Sequence, residues 1–214
     1  MTARVVLDDE VGRAAAIEAL RAGGVVALPT DTVYGVAVAL ETRGGVERLF
    51  HLKRRPPDKG IMLLLDDAAQ AATIGIMGDA AAALAAAFWP GGLSIIVPRR
   101  PDVALPAALT GGVPTIGLRV PDHDSPRELA RAVGPLPTTS ANVSGLAEAR
   151  DAAEIVDQLG KALDLILDGG PAHGGPASTV VDCTGARPVI LREGAIQAAR
   201  LARVLDSAGI AHQI

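Results

Sequence analysis

Short apolar runs along the chain alternate with longer segments in which apolar residues recur every three or four positions. This pattern predicts strands separated by helices. Val25–Leu28, Val36–Leu40, Ile61–Leu65, Leu93–Val97, Thr115–Val120, Leu136–Ser140 and Leu165–Leu167 read as strands. Asp8 or Asp9 caps a helix reaching about Ala22, with Val11, Ala14, Ile17 and Leu20 on one face and Gly23-Gly24 at its end. Thr42 caps a short helix through Phe50, and Asp66 and Asp79 cap two Ala-rich helices. Asp124 caps another, with Pro126 in its first turn. Asp151 begins a helix to about Leu163, and a last helix covers about Ala198–Ser207. Ser178–Cys183 and Pro188–Arg192 form a hairpin turned at Thr184–Arg187. Several links are hairpin-like, so the expected fold is α/β, with a twisted mixed parallel/antiparallel sheet flanked by helices. No internal repeat or long linker divides the chain, and one domain over residues 1–214 is expected.

Composition narrows the picture. Hydrophobic residues are 49% of the 214, yet aromatics are only 2%, so Ala, Val, Leu and Ile must build a closely packed core. The net charge of -4 is mild and argues against bulk electrostatic binding of nucleic acid, leaving room for a local basic cleft. One cysteine, Cys183, excludes an internal disulfide framework, and its place in an apolar run makes it a small core residue. His51, His123, His173 and His212 are scattered without ligand spacing, so no protein metal site is expected. No P-loop and no Gly-x-Ser-x-Gly elbow is present. Acidic residues appear as early as Asp8, no signal peptide is expected, and no apolar run has membrane-spanning length. A soluble, cytoplasmic protein is the expectation.

Polar clusters interrupt this pattern at strand ends. Pro29-Thr30-Asp31-Thr32-Val33-Tyr34-Gly35 follows the first strand. It reads either as a strand-terminating turn or as the strand end where α/β sheets bind ligands. Thr138-Thr139-Ser140-Ala141-Asn142-Val143-Ser144-Gly145 is either a hydroxyl-rich turn or a second wall of the same cleft. Lys53, Arg54, Arg55 and Lys59 lie around two prolines, as a solvated loop or as a site for phosphate or carboxylate. Arg119 lies inside an apolar strand and needs either a structural ion-pair partner or an anionic ligand. Arg192 raises the same question, with Glu193 as its simplest partner. The Gly/Pro-rich loop Gly169–Pro176 around His173 is a lid or a plain linker.

Together these pieces resemble the YrdC/TsaC family of L-threonylcarbamoyladenylate synthases. The resemblance rests on Pro29–Gly35, Lys53-Arg54-Arg55-Pro56, Trp89-Pro90-Gly91, Gly117-Leu118-Arg119-Val120-Pro121, Ser140–Gly145, Ser178-Thr179-Val180-Val181-Asp182 and Arg192-Glu193-Gly194, in family order. It implies a sheet around a deep cavity, in the single-domain form. It also implies that L-threonine, bicarbonate and ATP are joined as threonylcarbamoyl-AMP, with magnesium accompanying the nucleotide. That product would feed modification of tRNA beside the anticodon, with tRNA and the downstream transfer proteins as partners and no membrane involved. By the same resemblance, Thr32, Arg119, Thr138 and Ser178 contact threonine. Lys53, Arg55, Lys59, Thr115, Ser140, Asn142 and Arg192 contact ATP, with Lys53 and Arg55 catalytic. Gly60, Leu64 and Glu148 depart from the usual family residues. The competing reading is a double-stranded RNA or tRNA-binding module without nucleotidyl transfer.

Overall fold

The structure is a computed structural model that describes residues 3–54, 60–172 and 175–214. Arg55, Lys59 and His173 lie outside the described residues. In chain order the elements are β1 Arg4–Leu7, α1 Glu10–Arg21, β2 Val26–Leu28, β3 Gly35–Ala37, α2 Gly45–Lys53, β4 Met62–Leu64, α3 Ala68–Ile74, α4 Asp79–Phe88 and β5 Leu93–Pro98. They continue as α5 Ala107–Thr110, β6 Thr115–Arg119, α6 Asp124–Val133, β7 Leu136–Ser140, α7 Ala152–Leu159, β8 Leu165–Asp168, β9 Thr179–Asp182, β10 Val189–Arg192 and α8 Ala198–Ser207. The strands form one open 10-stranded sheet in the order β1-β8-β2-β3-β7-β4-β6-β5-β9-β10. Parallel pairs (β1/β8, β2/β8, β4/β6, β5/β9) mix with antiparallel ones, as the hairpin-like links imply. No helix among the described residues is long and apolar enough to cross a membrane.

The two faces of this sheet are covered unequally, and that difference makes the site. Cross-strand partners point to the same face of a sheet, and alternate residues share it. One face carries Val36, Leu63, Leu118, Ile95 and Val181. It is packed by Leu49 of α2, Ile74 of α3, Leu84 of α4, Ile155 of α7 and Leu201 and Leu205 of α8. On the other face, α1 and α6 cover Val26, Leu28, Ala37, Leu64 and Leu136 with Ala16, Leu20, Leu129 and Ala130. The register sets Gly35 opposite Ser140, Met62 opposite Thr138, Leu64 opposite Arg119, Gly117 opposite Ile96 and Ser94 opposite Val180. This face therefore continues past the two helices as a strip in which Gly35, Thr138, Ser140, Arg119, Gly117 and Ser94 alternate with the apolar Met62, Leu64, Ile96 and Val180. Gly35 is required there: a Cβ on it would lie 2.7 Å from Thr138 Cγ2.

Several elements differ from the sequence expectation. β1 was not foreseen; it is a four-residue strand at the sheet edge, mostly exposed, too short to give a periodic signal. The buried face of α1 is Gly12, Ala16 and Leu20, whereas Val11 is 76% exposed. The helix sits directly on the end of β1, where a Cβ at Gly12 would fall 1.8 Å from the Leu7 carbonyl oxygen, so only a glycine can face inward there. Caps shift by one residue where two candidates adjoin. Asp67, not Asp66, accepts from Gln70 N–H to start α3, while Asp66 pairs with Arg131 at 2.7 Å. His123 rather than Asp124 caps α6, and Gly44 rather than Thr42 precedes α2. Gly78 precedes α4, with Asp79 as its first residue. α7 stops at Leu159, short of the expected Leu163, and the Pro-rich connector holds the short α5.

Leu20 is fully buried beneath α6. Leu20→Ala should lower unfolding free energy by about 2–5 kcal/mol in a urea titration. Cys183 is half-buried against the main core, and burial pushes its thiol up to about 12. Since the thiolate is the reactive form, iodoacetamide at pH 8 should label the native protein far more slowly than the urea-unfolded chain. Equal rates would contradict this burial.

Candidate active site

The six-residue loop from Pro29 to Tyr34 joins β2 to β3 as a hairpin. It therefore folds over the uncovered strip, and its hydroxyls are used internally. Thr30 Oγ1 donates to Val33 O at 2.7 Å and accepts from Thr32 N–H at 3.2 Å. Its proton is thus engaged, so in the 3.2 Å contact between the two hydroxyls Thr32 is the donor. Thr32 Oγ1 in turn accepts from Arg119 Nη1 at 3.0 Å. Arg119 also donates from Nε to Gly91 O at 3.0 Å and from Nη2 to Asp31 Oδ1 at 2.6 Å. Gly91 is held by its N–H to Val120 O, after a cis Trp89–Pro90 bond. Burial pushes the Arg119 guanidinium below its ordinary range, Asp31 opposes this, and nearby Arg192 adds to the lowering. Arg119 is thus ion-paired within the protein, and it still faces the cavity.

On the neighbouring strands, Lys53 closes α2 and is 2% exposed, so it belongs to a helix end and not to a solvated loop. Its Nζ donates to Ser140 O, to Ser140 Oγ at 2.9 Å and to Asn142 Oδ1 at 2.8 Å. Ser140 Oγ donates to Asn142 Oδ1 at 2.7 Å, and Asn142 Nδ2 donates to Leu146 O at 2.7 Å, which fixes the amide. Thr138 Oγ1 donates to Leu136 O at 2.9 Å. With their protons engaged, Thr32, Thr138 and Ser140 offer only lone pairs to a ligand.

The far side is built by β5, β9 and β10. Arg192 donates to the Ser178 carbonyl from Nε at 3.1 Å and from Nη2 at 2.7 Å, and Nη2 reaches Ser178 Oγ at 3.2 Å. A bulge between Ile190 and Arg192 sets Arg192 opposite Val180, on the site face of the sheet. Glu193 is not its partner; that carboxylate accepts from Ala198 N–H at the start of α8. Ser178 Oγ lies 2.9 Å from Ser94 Oγ. Tyr34 closes the cavity: its hydroxyl donates to Gly170 O at 2.6 Å and accepts from Gly169 N–H at 3.0 Å. Burial pushes that phenol up to about 12, so it keeps its proton.

These side chains enclose a cavity of about 80 Å³ lined by Thr30, Thr32, Tyr34, Arg119, Thr138, Ser140, Ser178 and Ser94, with Met62 and Leu64 as its apolar wall. A single water needs about 10–15 Å³ on such a scale, so there is room for a small organic molecule. Asn142 stands behind Ser140. Thr115 is apart from this cavity and lines an adjoining cleft of about 190 Å³ with Leu109, Val113 and Ile116, sharing Met62 with it. Ser94 was missed from the sequence. Its one signal is a lone hydroxyl in the apolar run Leu93–Val97, which also fits a satisfied core serine. Larger grooves of about 760 and 700 Å³ lie elsewhere, around Arg48 and Lys161 and around Arg21 and Arg43, and hold none of the expected site residues. Among the described residues, no group of three His, Cys, Asp or Glu side chains is placed to hold a metal ion.

Comparison with known proteins bears on the fold and the family. The profile of the Sua5/YciO/YrdC family, described as telomere recombination, matches residues 18–194. A putative threonylcarbamoyl-AMP synthase of Mycobacterium leprae is 40% identical over 195 residues, covering 91% of this chain and 88% of that protein. The structure of P. abyssi Sua5 complexed with L-threonine superposes with a TM-score of 0.88 at 29% identity, covering 99% of this chain. This chain spans 61% of the length of that one. E. coli YciO superposes with a TM-score of 0.82 at 29% identity, covering 92% of this chain and 98% of its own. With the family profile matched over most of its length, the chain belongs to the Sua5/YciO/YrdC family.

Proposed function

We propose that the chain is a nucleotidyltransferase, acting as a single domain, that converts L-threonine, bicarbonate and ATP to threonylcarbamoyl-AMP and pyrophosphate. The observation that carries this reading is the split polarity of the cavity. Thr32, Thr138 and Ser140 present acceptors, while Arg119, which has N–H groups beyond its three protein contacts, presents donors. An amino-acid zwitterion needs both, its amine towards the hydroxyl oxygens and its carboxylate towards the guanidinium.

The chemistry then follows by positioning. Bicarbonate takes up a proton and loses water to give carbon dioxide; the neutral amine nitrogen then bonds to its carbon and gives up a proton, leaving a carbamate. A carbamate oxygen attacks the α-phosphorus of ATP, and the bond to the leaving pyrophosphate breaks. Lys53, fixed by Ser140 and Asn142, places a buried positive charge beside the cavity. Charge on the departing phosphates is what such a group balances. Arg55, Lys59 and Arg192 are assigned to the same triphosphate. The apolar cleft beside Thr115 suits the adenine base. Magnesium would arrive coordinated by phosphate oxygens, which are its ordinary ligands. The product would be passed on to the proteins that modify tRNA.

Purified protein should release pyrophosphate from ATP only when both threonine and bicarbonate are present; no release under those conditions overturns the reading. Thr32→Val keeps the shape and removes the lone pairs. It should raise the KM for threonine about tenfold, as expected for one lost hydrogen bond to a charged group. The KM for ATP should stay nearly unchanged. An equal rise in both would assign the hairpin loop to the wrong ligand.

A further inference from the structure

The hydroxyls that line the cavity can be sorted by where their protons go. Thr30 gives its proton to Val33 O, Thr32 to Thr30, Thr138 to Leu136 O, Ser140 to Asn142 and Tyr34 to Gly170 O. Ser94 and Ser178 are different. They share one hydrogen bond of 2.9 Å, which uses one of their two protons whichever oxygen donates. Among the described residues neither hydroxyl has another acceptor. If Ser94 donates, Ser178 already accepts from Ser94 and from Arg192 Nη2, and its own proton is left over. If Ser178 donates, the proton of Ser94 is left over. Either way the pair turns one donor towards the cavity that both residues line.

The charges around this donor decide its ligand. Arg192 Nη2 stands 3.2 Å from Ser178 Oγ, and Arg192 is close enough to Arg119 to lower the pKa of that guanidinium. A hydroxyl donor beside one guanidinium, in a cavity that a second one also lines, favours an anionic oxygen. Ser94 is 1% exposed and lies in an otherwise apolar strand, with the Ser178 hydroxyl as its one partner among the described residues.

We infer that Ser94 and Ser178 form a one-donor subsite for a carboxylate-type oxygen, with Ser94 as the residue that aims or supplies the donor. This rests on the reaction proposed above, in which two substrates carry such an oxygen: the amino acid, in its α-carboxylate, and bicarbonate.

The test is Ser94→Ala, with pyrophosphate release measured while threonine, bicarbonate and ATP are varied in turn. The KM of one carboxylate-bearing substrate should rise about tenfold, the loss expected for one hydrogen bond to a charged group. The KM for ATP should move less than about twofold, and the melting temperature should be nearly unchanged. A rise confined to threonine assigns the donor to the α-carboxylate, and one confined to bicarbonate assigns it to the one-carbon unit. Wild-type-like KM values for both, or a common rise in all three KM values together with a lower melting temperature, would overturn the subsite. Ser94→Cys keeps the size with a weaker donor and should fall between Ala and wild type, which covers the case in which the alanine variant does not fold. Calorimetric titration of wild type and variant with L-threonine and with bicarbonate makes the same comparison without turnover. Absence of pyrophosphate release by the wild type would therefore overturn the reaction and leave the binding result to decide on Ser94.

Discussion

A guanidinium in the interior of a central strand has to be neutralised and hydrogen-bonded, because the low-polarity surroundings penalise a bare charge. Arg119 meets this with a carboxylate from one connection, Asp31, and a carbonyl from another, Gly91. The hairpin loop between β2 and β3 and the turn before β5 are thereby drawn together over β6, although they are distant in sequence. Removing one partner of such a buried pair typically costs about 3–5 kcal/mol, so the two connections are held firmly at the edge of the cavity. The strip of sheet beneath them stays uncovered because α1 and α6 end their contacts at Leu64 and Leu136.

Lys53 repeats the same solution on the adjoining wall. Its ammonium is surrounded by Ser140 and Asn142, which gives the charge a fixed position without exposing it. Both cations are held before any ligand arrives, and little reorganisation remains for the moment of reaction. The hydroxyls complete the arrangement by direction and not merely by number. Those near Arg119 and Lys53 turn oxygen lone pairs inward, because protein carbonyls, the Thr30 hydroxyl and the Asn142 amide oxygen take their protons.

The strand pattern was largely legible because the sheet is buried by apolar helices on one whole face. β7 matches its expected span from Leu136 to Ser140, and the β9/β10 hairpin has its expected partners. The polar strand ends were legible too, since four hydrogen-bonding side chains within five residues after Pro29 exceed what a turn needs. Less was readable where a single residue or an unforeseen neighbour decides. The rotation of α1 depends on its contact with β1, which gives too short a signal to be seen. Ser94 looks like a core serine until the sheet brings it beside Ser178. Arg192 was expected either on a ligand or on Glu193, and its contact with Ser178 requires a register that no local pattern specifies.

That register depends on the irregularity of β10. Along a regular strand, positions of equal parity share a face, and Ile190, two residues before Arg192, packs on the helix side with Val181 and α8. The one-residue slip between them changes the phase of the strand, so that Arg192 joins the side of Ser178. Parity, and not composition, admits this charge to the cavity. A chain with every segment of the resemblance intact but this strand regular, with Arg192 opposite Thr179, would keep its net charge and its hairpin, yet it would direct the guanidinium into the helical layer. Motif spelling and site assembly are therefore separable properties in this fold.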